Sequence, residues 1–311
     1  MANGIINMLD IAKRQNNEIA LGIIEECLKD IPEFESLPFR TIAGTSFKTY
    51  RRTGFAHGSF RRINEGVESS KNEGEQIEVE CFPFDSNIEI DELANDADDS
   101  TLGNLLSSEG SGLMQGNLFK LATQIYKGTA EDKNGFSGFI ENVSDSMVVK
   151  AATSGTGLSS VWFVYRGLRG VSLIGGKNTA LNVSKPERVY IQDSDGKKHW
   201  GYNSNMSGWY GLQIAHSKAI GRLCNVADTL TDEMLTELYY KFPSWMRPNA
   251  IYMNSESARK LHKSRAQVAS LNAGSASVSI KGDYNAARPT DFLGIPIYVT
   301  DAIDSLETLV S

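Results

Sequence analysis

Between Phe47 and Leu93 the chain carries a charge pattern that the interior of a globular protein does not tolerate. Lys48, Arg51, Arg52, Arg61 and Arg62 come first, with no acid among them. Beyond Asn64 follow Glu65, Glu68, Glu73, Glu75, Glu78, Glu80, Asp85, Glu89, Asp91 and Glu92, opposed by Lys71 alone. Strand alternation is clear on the acidic side. Ile77, Val79 and Cys81 alternate with Glu78 and Glu80, and Ile88 and Ile90 alternate with Glu89 and Asp91. The pattern predicts a long two-armed β excursion, basic on one arm and acidic on the other, with too few apolar side chains to bury itself on its own chain. Such an arm needs a neighbour. Arg51, Arg52, Arg61, Arg62, Glu65, Glu78 and Glu80 are therefore the candidate contacts between subunits.

With 311 residues the chain has material for two domains and a sizeable core. Its formal charge of -7 argues against a protein whose main task is wrapping nucleic acid, because that affinity comes from a surplus of Lys and Arg. Cys27, Cys81 and Cys224 are far apart and in no C-x-x-C pair, so neither a disulfide framework nor a zinc site is signalled, and they read as small buried hydrophobes of a reducing cytoplasm. The N-terminus lacks a secretory pattern, and no apolar run approaches the roughly 18 residues of a membrane span.

The remaining chain reads as a mixture of helices and strands. Ile5, Leu9 and Ala12, then Ile19, Ile23, Cys27 and Ile31, lie at helical spacing, with Pro32 and Pro38 ending that region. Asp96, Asp98, Asp99 and Ser100 suit a helix start. Gly110 and Gly112 are expected to break the chain before the strongest helix, whose stripe is Met114, Leu118, Leu121, Ala122 and Ile125 and whose stop is Gly128. Gly110, Gly112 and Gly116 form the candidate hinge. Strands are expected at Val161 to Tyr165 and Val171 to Ile174, joined by a tight turn, and at Arg188 to Ile191 and Trp200 to Tyr202, joined through Asp195-Gly196. Leu212 to Ala215 and Ile220 to Leu223 read as further strands. Thr231 opens a helix that Pro243 ends. Ala250 to Met253 is an apolar strand, Ser255 caps the next helix, and Ile295 to Val299 is the last strand after a soft loop at Ala273 to Ser279. The order of elements is α+β, without internal repeats.

Catalytic signatures are weak. Gly170 to Asn178 departs from a phosphate loop in its glycine spacing, and Asn178 stands where the hydroxyl belongs. His57, His199, His216 and His262 share no ligand spacing. Ser257-x-x-Lys260 matches a serine–lysine pattern but sits on an ordinary amphipathic helix. Trp162, Trp200, Trp209, Tyr210 and Trp245 lack the interleaved basic residues of a nucleic-acid platform and read as core or interface. No catalytic residue, metal or cofactor is expected.

Several segments, taken together, resemble tailed-phage major capsid proteins of the Hong Kong 97 fold. Leu37-Pro38-Phe39, Thr41-Ile42, Gly44, Tyr50-Arg51-Arg52 and Phe60-Arg61-Arg62-Ile63-Asn64-Glu65-Gly66 are similar to the opening of that family's extended loop. Phe136-Ser137-Gly138-Phe139-Ile140 resembles the segment after its spine helix. Ser160 to Val164, Gly211-Leu212, Arg222 to Asn225, Pro248 to Asn254 and Phe292 to Ile297 resemble its epsilon-15-like branch. The resemblance implies an N-terminal arm over residues 1–45, an extended loop over 46–92, a spine helix and peripheral domain over 93–230, and an axial domain with a returning strand over 231–311. It implies hexamers and pentamers of an icosahedral head holding double-stranded DNA non-specifically, with portal and scaffolding or cement proteins as partners, in the virion after assembly in the host cytoplasm. No enzyme activity and no membrane are implied, and an encapsulin-like compartment shell is the alternative. The family's isopeptide cross-link is not carried over, since no motif match brings its asparagine and carboxylate to Lys71.

Overall fold

The computed structural model describes residues 31–93, 102–178, 181–184, 186–192, 194–272 and 287–310. The N-terminal helical stripes, Cys27, the Asp96 to Ser100 helix start and the Ala273 to Ser279 loop lie outside these residues. The described residues begin with helix α1 (Pro32–Ser36) and strands β1 (Phe39–Thr41), β2 (Ser46–Gly54), β3 (Glu73–Glu80) and β4 (Phe82–Asp91). Helix α2 (Leu102–Lys127) and the short α3 (Phe139–Asn142) follow. Then come β5 (Val148–Lys150), β6 (Ser159–Val164), β7 (Val171–Gly175), β8 (Asn182–Val183), β9 (Glu187–Gln192), β10 (Lys198–Ile214) and β11 (Ile220–Val226). Helix α4 (Asp232–Lys241), β12 (Ala250–Met253), helix α5 (Ser255–Asn272), β13 (Asp291–Phe292) and β14 (Ile295–Val299) complete it.

Helix α2 exists because one face of it is apolar at helical spacing. Met114, Leu118, Leu121, Ala122 and Ile125 are all buried, each large one contributing about 1.5–3 kcal/mol by leaving water. It stops at Gly128, whose φ of 61° is left-handed. A side chain there would also collide with the loop that leads into α3, since a Cβ on Gly128 would lie 2.3 Å from the Gly138 amide nitrogen. That close approach lets Phe139 drop into a cluster with Tyr126 and Trp162, both ring pairs having centroids 5.5 Å apart.

Two six-stranded sheets flank this cluster. The first runs β1-β7-β10-β4, with β8 and β9 also paired to β10. Its spine is β10, 17 residues long, where the sequence reading has two separate strands. β9 and β10 form the expected hairpin through Gly196. The second sheet runs β13-β14-β12-β6-β11-β5, so it draws strands from both sides of residue 231. One face of β6 and β12, with Trp162, Val164 and Tyr252, packs towards α2 and α1. The other, with Val161, Phe163, Ile251 and Met253, packs on α4 and α5 through Leu235, Leu238, Phe242 and Leu261.

Four local expectations need correction. Gly110 and Gly112 do not break the chain, because α2 runs through both; helix propensity costs of about 1 kcal/mol per glycine are overcome by the flanking helix and its packing. Pro32 opens a further helix, α1, that the sequence reading does not expect, as its missing N–H is harmless in a first turn; the stripe before it lies outside the described residues. The β6 and β7 strands stand where expected, joined by the tight Gly167 to Gly170 turn, which carries the chain from the second sheet to the first. Asn254, not Ser255, caps α5, its Oδ1 accepting from the Ser257 amide at 2.8 Å. Finally, the Ile88 and Ile90 segment does not belong to a free arm. As β4 it pairs antiparallel with β10 from Phe82↔Tyr210 to Asp91↔Gly201.

Candidate subunit interface and hinge

What remains of the arm is a two-stranded hairpin of β2 and β3, set apart from both sheets. Its register answers part of the charge pattern within the chain. Lys48 faces Glu78, Arg51 faces Glu75, Arg52 faces Gly74 and Ser46 faces Glu80. The register thus sets basic positions of β2 opposite acidic positions of β3. Ser46 Oγ also donates to Glu78 Oε1 at 3.0 Å. Glu78 and Glu80 are exposed on one face, as their alternation predicts.

The root of the hairpin is its small core. Val79, Cys81 and Ile174 are buried there, with Ile42, Phe47 and Trp209 packed around them. The Arg40 guanidinium lies 4.3 Å from the centroid of the Phe47 ring. Burial pushes the Cys81 thiol up to about 11, so it stays protonated at neutral pH and is inert there. Phe55, at the far end of β2, meets Trp245 edge to face at 6.5 Å and ties the ribbon back to the body. Nothing in the sequence signals that pair, because the two residues are joined only by the tertiary fold. Between the overhanging β3 and the body lies a groove of about 340 Å3, lined by Glu78, Glu80, Phe82, Phe136, Leu212 and Ile214 among others.

The tip is irregular and exposed throughout residues 55–72. It brings Arg61, Arg62 and Glu65 together at one turn. The Glu65 amide donates to the Arg62 carbonyl at 3.2 Å, Asn64 takes a left-handed φ of 69°, and Arg61 NH1 donates to the Glu65 carbonyl at 2.9 Å. The turn presents Phe60 at 109% and Ile63 at 92% of full exposure, beside the two arginines. The turn thus sets two exposed apolar side chains next to two basic ones.

The candidate hinge glycines all lie inside α2. Gly110, Gly112 and Gly116 have no left-handed φ, and a Cβ added to any of them would meet nothing within 4 Å. They precede or interleave with the first turn of the buried stripe, so the helix is pinned beyond them and open beside them. Elsewhere, the catalytic candidates are spent on structure. Ser257 Oγ is hydrogen-bonded to Ser159 Oγ at 2.7 Å in the core, and Lys260 Nζ donates to the Val226 carbonyl at 3.4 Å. The amides of Gly176, Lys177 and Asn178 donate to the carbonyls of Trp209, Gly44 and Ile42, leaving no phosphate cradle in that loop. Among the described residues, no group of three or more His, Cys, Asp or Glu is placed to hold a metal. Among the same residues, no helix is long and apolar enough to cross a membrane.

Comparison with known proteins gives this geometry a context. The family described as major capsid protein GP7 matches residues 17–311. No curated protein matches the chain. Among solved structures, that of bacteriophage Epsilon15 is similar with a TM-score of 0.65 and 22% identity, over 88% of this chain and 87% of that one. The bacteriophage JBD30 capsid follows at a TM-score of 0.47 and 12% identity, over 85% and 88%. The holo-SrpI encapsulin complex of Synechococcus elongatus PCC 7942 stands at 0.42 and 7%, over 62% and 86%. The fold assignment rests on the first of these: this is the Hong Kong 97-type capsid fold.

Proposed function

The chain belongs to the major capsid protein GP7 family, and from that premise we propose that it forms hexamers and pentamers of an icosahedral phage head around double-stranded DNA. That copies of it build a phage capsid follows from the family itself. The finer reading is supported by one observation above the others. The hairpin tip, with Phe60, Arg61, Arg62 and Ile63, is apolar and basic, and the described residues of its own chain leave it exposed. A second copy of the chain is the partner that a capsid supplies at every position. In this reading Arg51, Arg52, Arg61, Arg62, Glu65, Glu78 and Glu80 lie in or beside subunit contacts, and Gly110, Gly112 and Gly116 allow α2 to change angle as the shell matures.

The role is structural and no catalytic step is assigned to it. Portal and scaffolding or cement proteins complete the particle, which assembles in the host cytoplasm. With a formal charge of -7, the chain holds its DNA by enclosure rather than by a basic surface. Negative-stain microscopy and light scattering on the purified protein test the proposal. Closed shells or ring-shaped capsomers are expected, and particles isolated from infected cells should contain DNA. A strictly monomeric protein would overturn the reading, and shells enclosing an enzyme instead of DNA would replace the phage head with a compartment.

A further inference from the structure

Glu33 is the least expected buried group in the molecule. It sits in α1, is fully enclosed, and carries a carboxyl into the junction of four other segments. Its Oε1 accepts from the Tyr126 hydroxyl at 2.8 Å, from the end of α2. Its Oε2 is buried and makes no hydrogen bond within normal limits. No cation among the described residues is paired with it. The nearby Arg166 guanidinium is committed to the Ser36 carbonyl, to Asn249 and to the Tyr298 hydroxyl. Tyr252 faces the junction from β12 and is bonded to Ser36 Oγ at 2.5 Å. Thr300 and Asp301 face it from the segment after β14, and Asp301 adds a repulsive negative charge. Glu35, on the same helix, is exposed.

We propose that Glu33 is a proton-operated latch that fixes where the N-terminal segment joins the folded body. A buried carboxylate with one orphan oxygen and no counter-charge is unfavourable, whereas the neutral acid fits the site. Burial raises the Glu33 carboxyl above its ordinary value, and the Tyr126 and Thr300 hydroxyls offset this only in part. The sign follows directly. A group whose folded value is raised contributes its full stability below the unfolded value and loses it as pH rises through the folded one. Acid therefore closes the latch and alkali loosens α1.

Hydrogen exchange of residues 34–37 in the full-length protein, corrected for intrinsic rates between about pH 5 and about pH 8, reads this directly. The Leu37 amide, which donates to the Glu33 carbonyl at 2.8 Å, is the reporter. Its protection should fall with rising pH, by up to about tenfold per unit between the unfolded and the folded value, and level off above the folded one. Glu33→Gln should make protection independent of pH. Tyr126→Phe removes a bond to the charged form and should move the transition to higher pH. Asp301→Asn removes a repulsion and should move it to lower pH. A flat profile in the natural chain, or a pH dependence that survives in Glu33→Gln, would overturn the latch. If Glu33→Gln does not fold, the two opposite shifts decide, and their absence rejects the proposal.

Discussion

A single glycine pair shows how a residue can be half readable. Gly128 is legible as a helix stop, because the stripe of α2 ends one turn before it. Gly138 is not, because its need to lack a side chain comes from the Gly128 backbone, ten residues away in sequence yet in contact. Gly128→Ala should therefore cost more than the roughly 1 kcal/mol of a left-handed alanine, and we expect at least about 2 kcal/mol in urea unfolding of dispersed subunits. The nearly buried Arg222 behaves similarly. Its Nε donates to Ser160 Oγ at 2.9 Å and its NH2 to Glu307 Oε2 at 3.0 Å, which holds the C-terminal tail on the second sheet. Glu307→Ala strands that cation, and a loss of about 3 kcal/mol is expected in the same measurement. Sequence patterns cannot announce such a pair, since Arg and Glu on a polar tail read as solvated.

At the scale of elements, periodicity carried most of the information. The buried stripe of α2, the Thr231 cap of α4, which accepts from the Met234 amide, and the apolar strands β6 and β12 all stand where their residues predict. What was illegible is which strand pairs with which. The tight Gly167 to Gly170 turn stands where expected, yet its flanking strands enter different sheets, and nothing local to the turn signals that. The glycines of α2 mislead in the same way: they weaken a helix without ending it. Gly112→Ala and Gly116→Ala meet no steric obstacle, and each should stabilise the helix by about 0.8–1.0 kcal/mol. If the hinge operates, Gly112→Pro and Gly116→Ala trap or misshape immature shells while subunits still fold. Mutant shells that expand to an unchanged diameter by electron microscopy rule it out.

At the scale of the whole molecule, the charge split is shared between two levels. The hairpin register sets Lys48 and Arg51 opposite acidic positions of the same chain, while Arg61 and Arg62 reach the tip, where, among the described residues, Arg61 donates to the Glu65 carbonyl. Because an exposed pair contributes up to about 1 kcal/mol, one arginine should matter little, but every copy in a shell repeats the contact. Arg61→Glu combined with Arg62→Glu should block or distort assembly and be partly relieved by salt, which screens over about 10 Å at about 0.1 M. Normal particles at low salt, or subunits that unfold, would count against an interface role for the tip. The long strand β10 has a mechanical consequence too. Its ladder with β4 runs lengthwise through ten consecutive positions, from Gly201↔Asp91 to Tyr210↔Phe82. Pulled along its axis, it loads all ten rungs in shear at once. The two-stranded hairpin, free at its tip, can instead be unzipped one rung at a time. A stretched subunit therefore yields at its arm, once the Phe55–Trp245 contact parts, before its body, and keeps its fold.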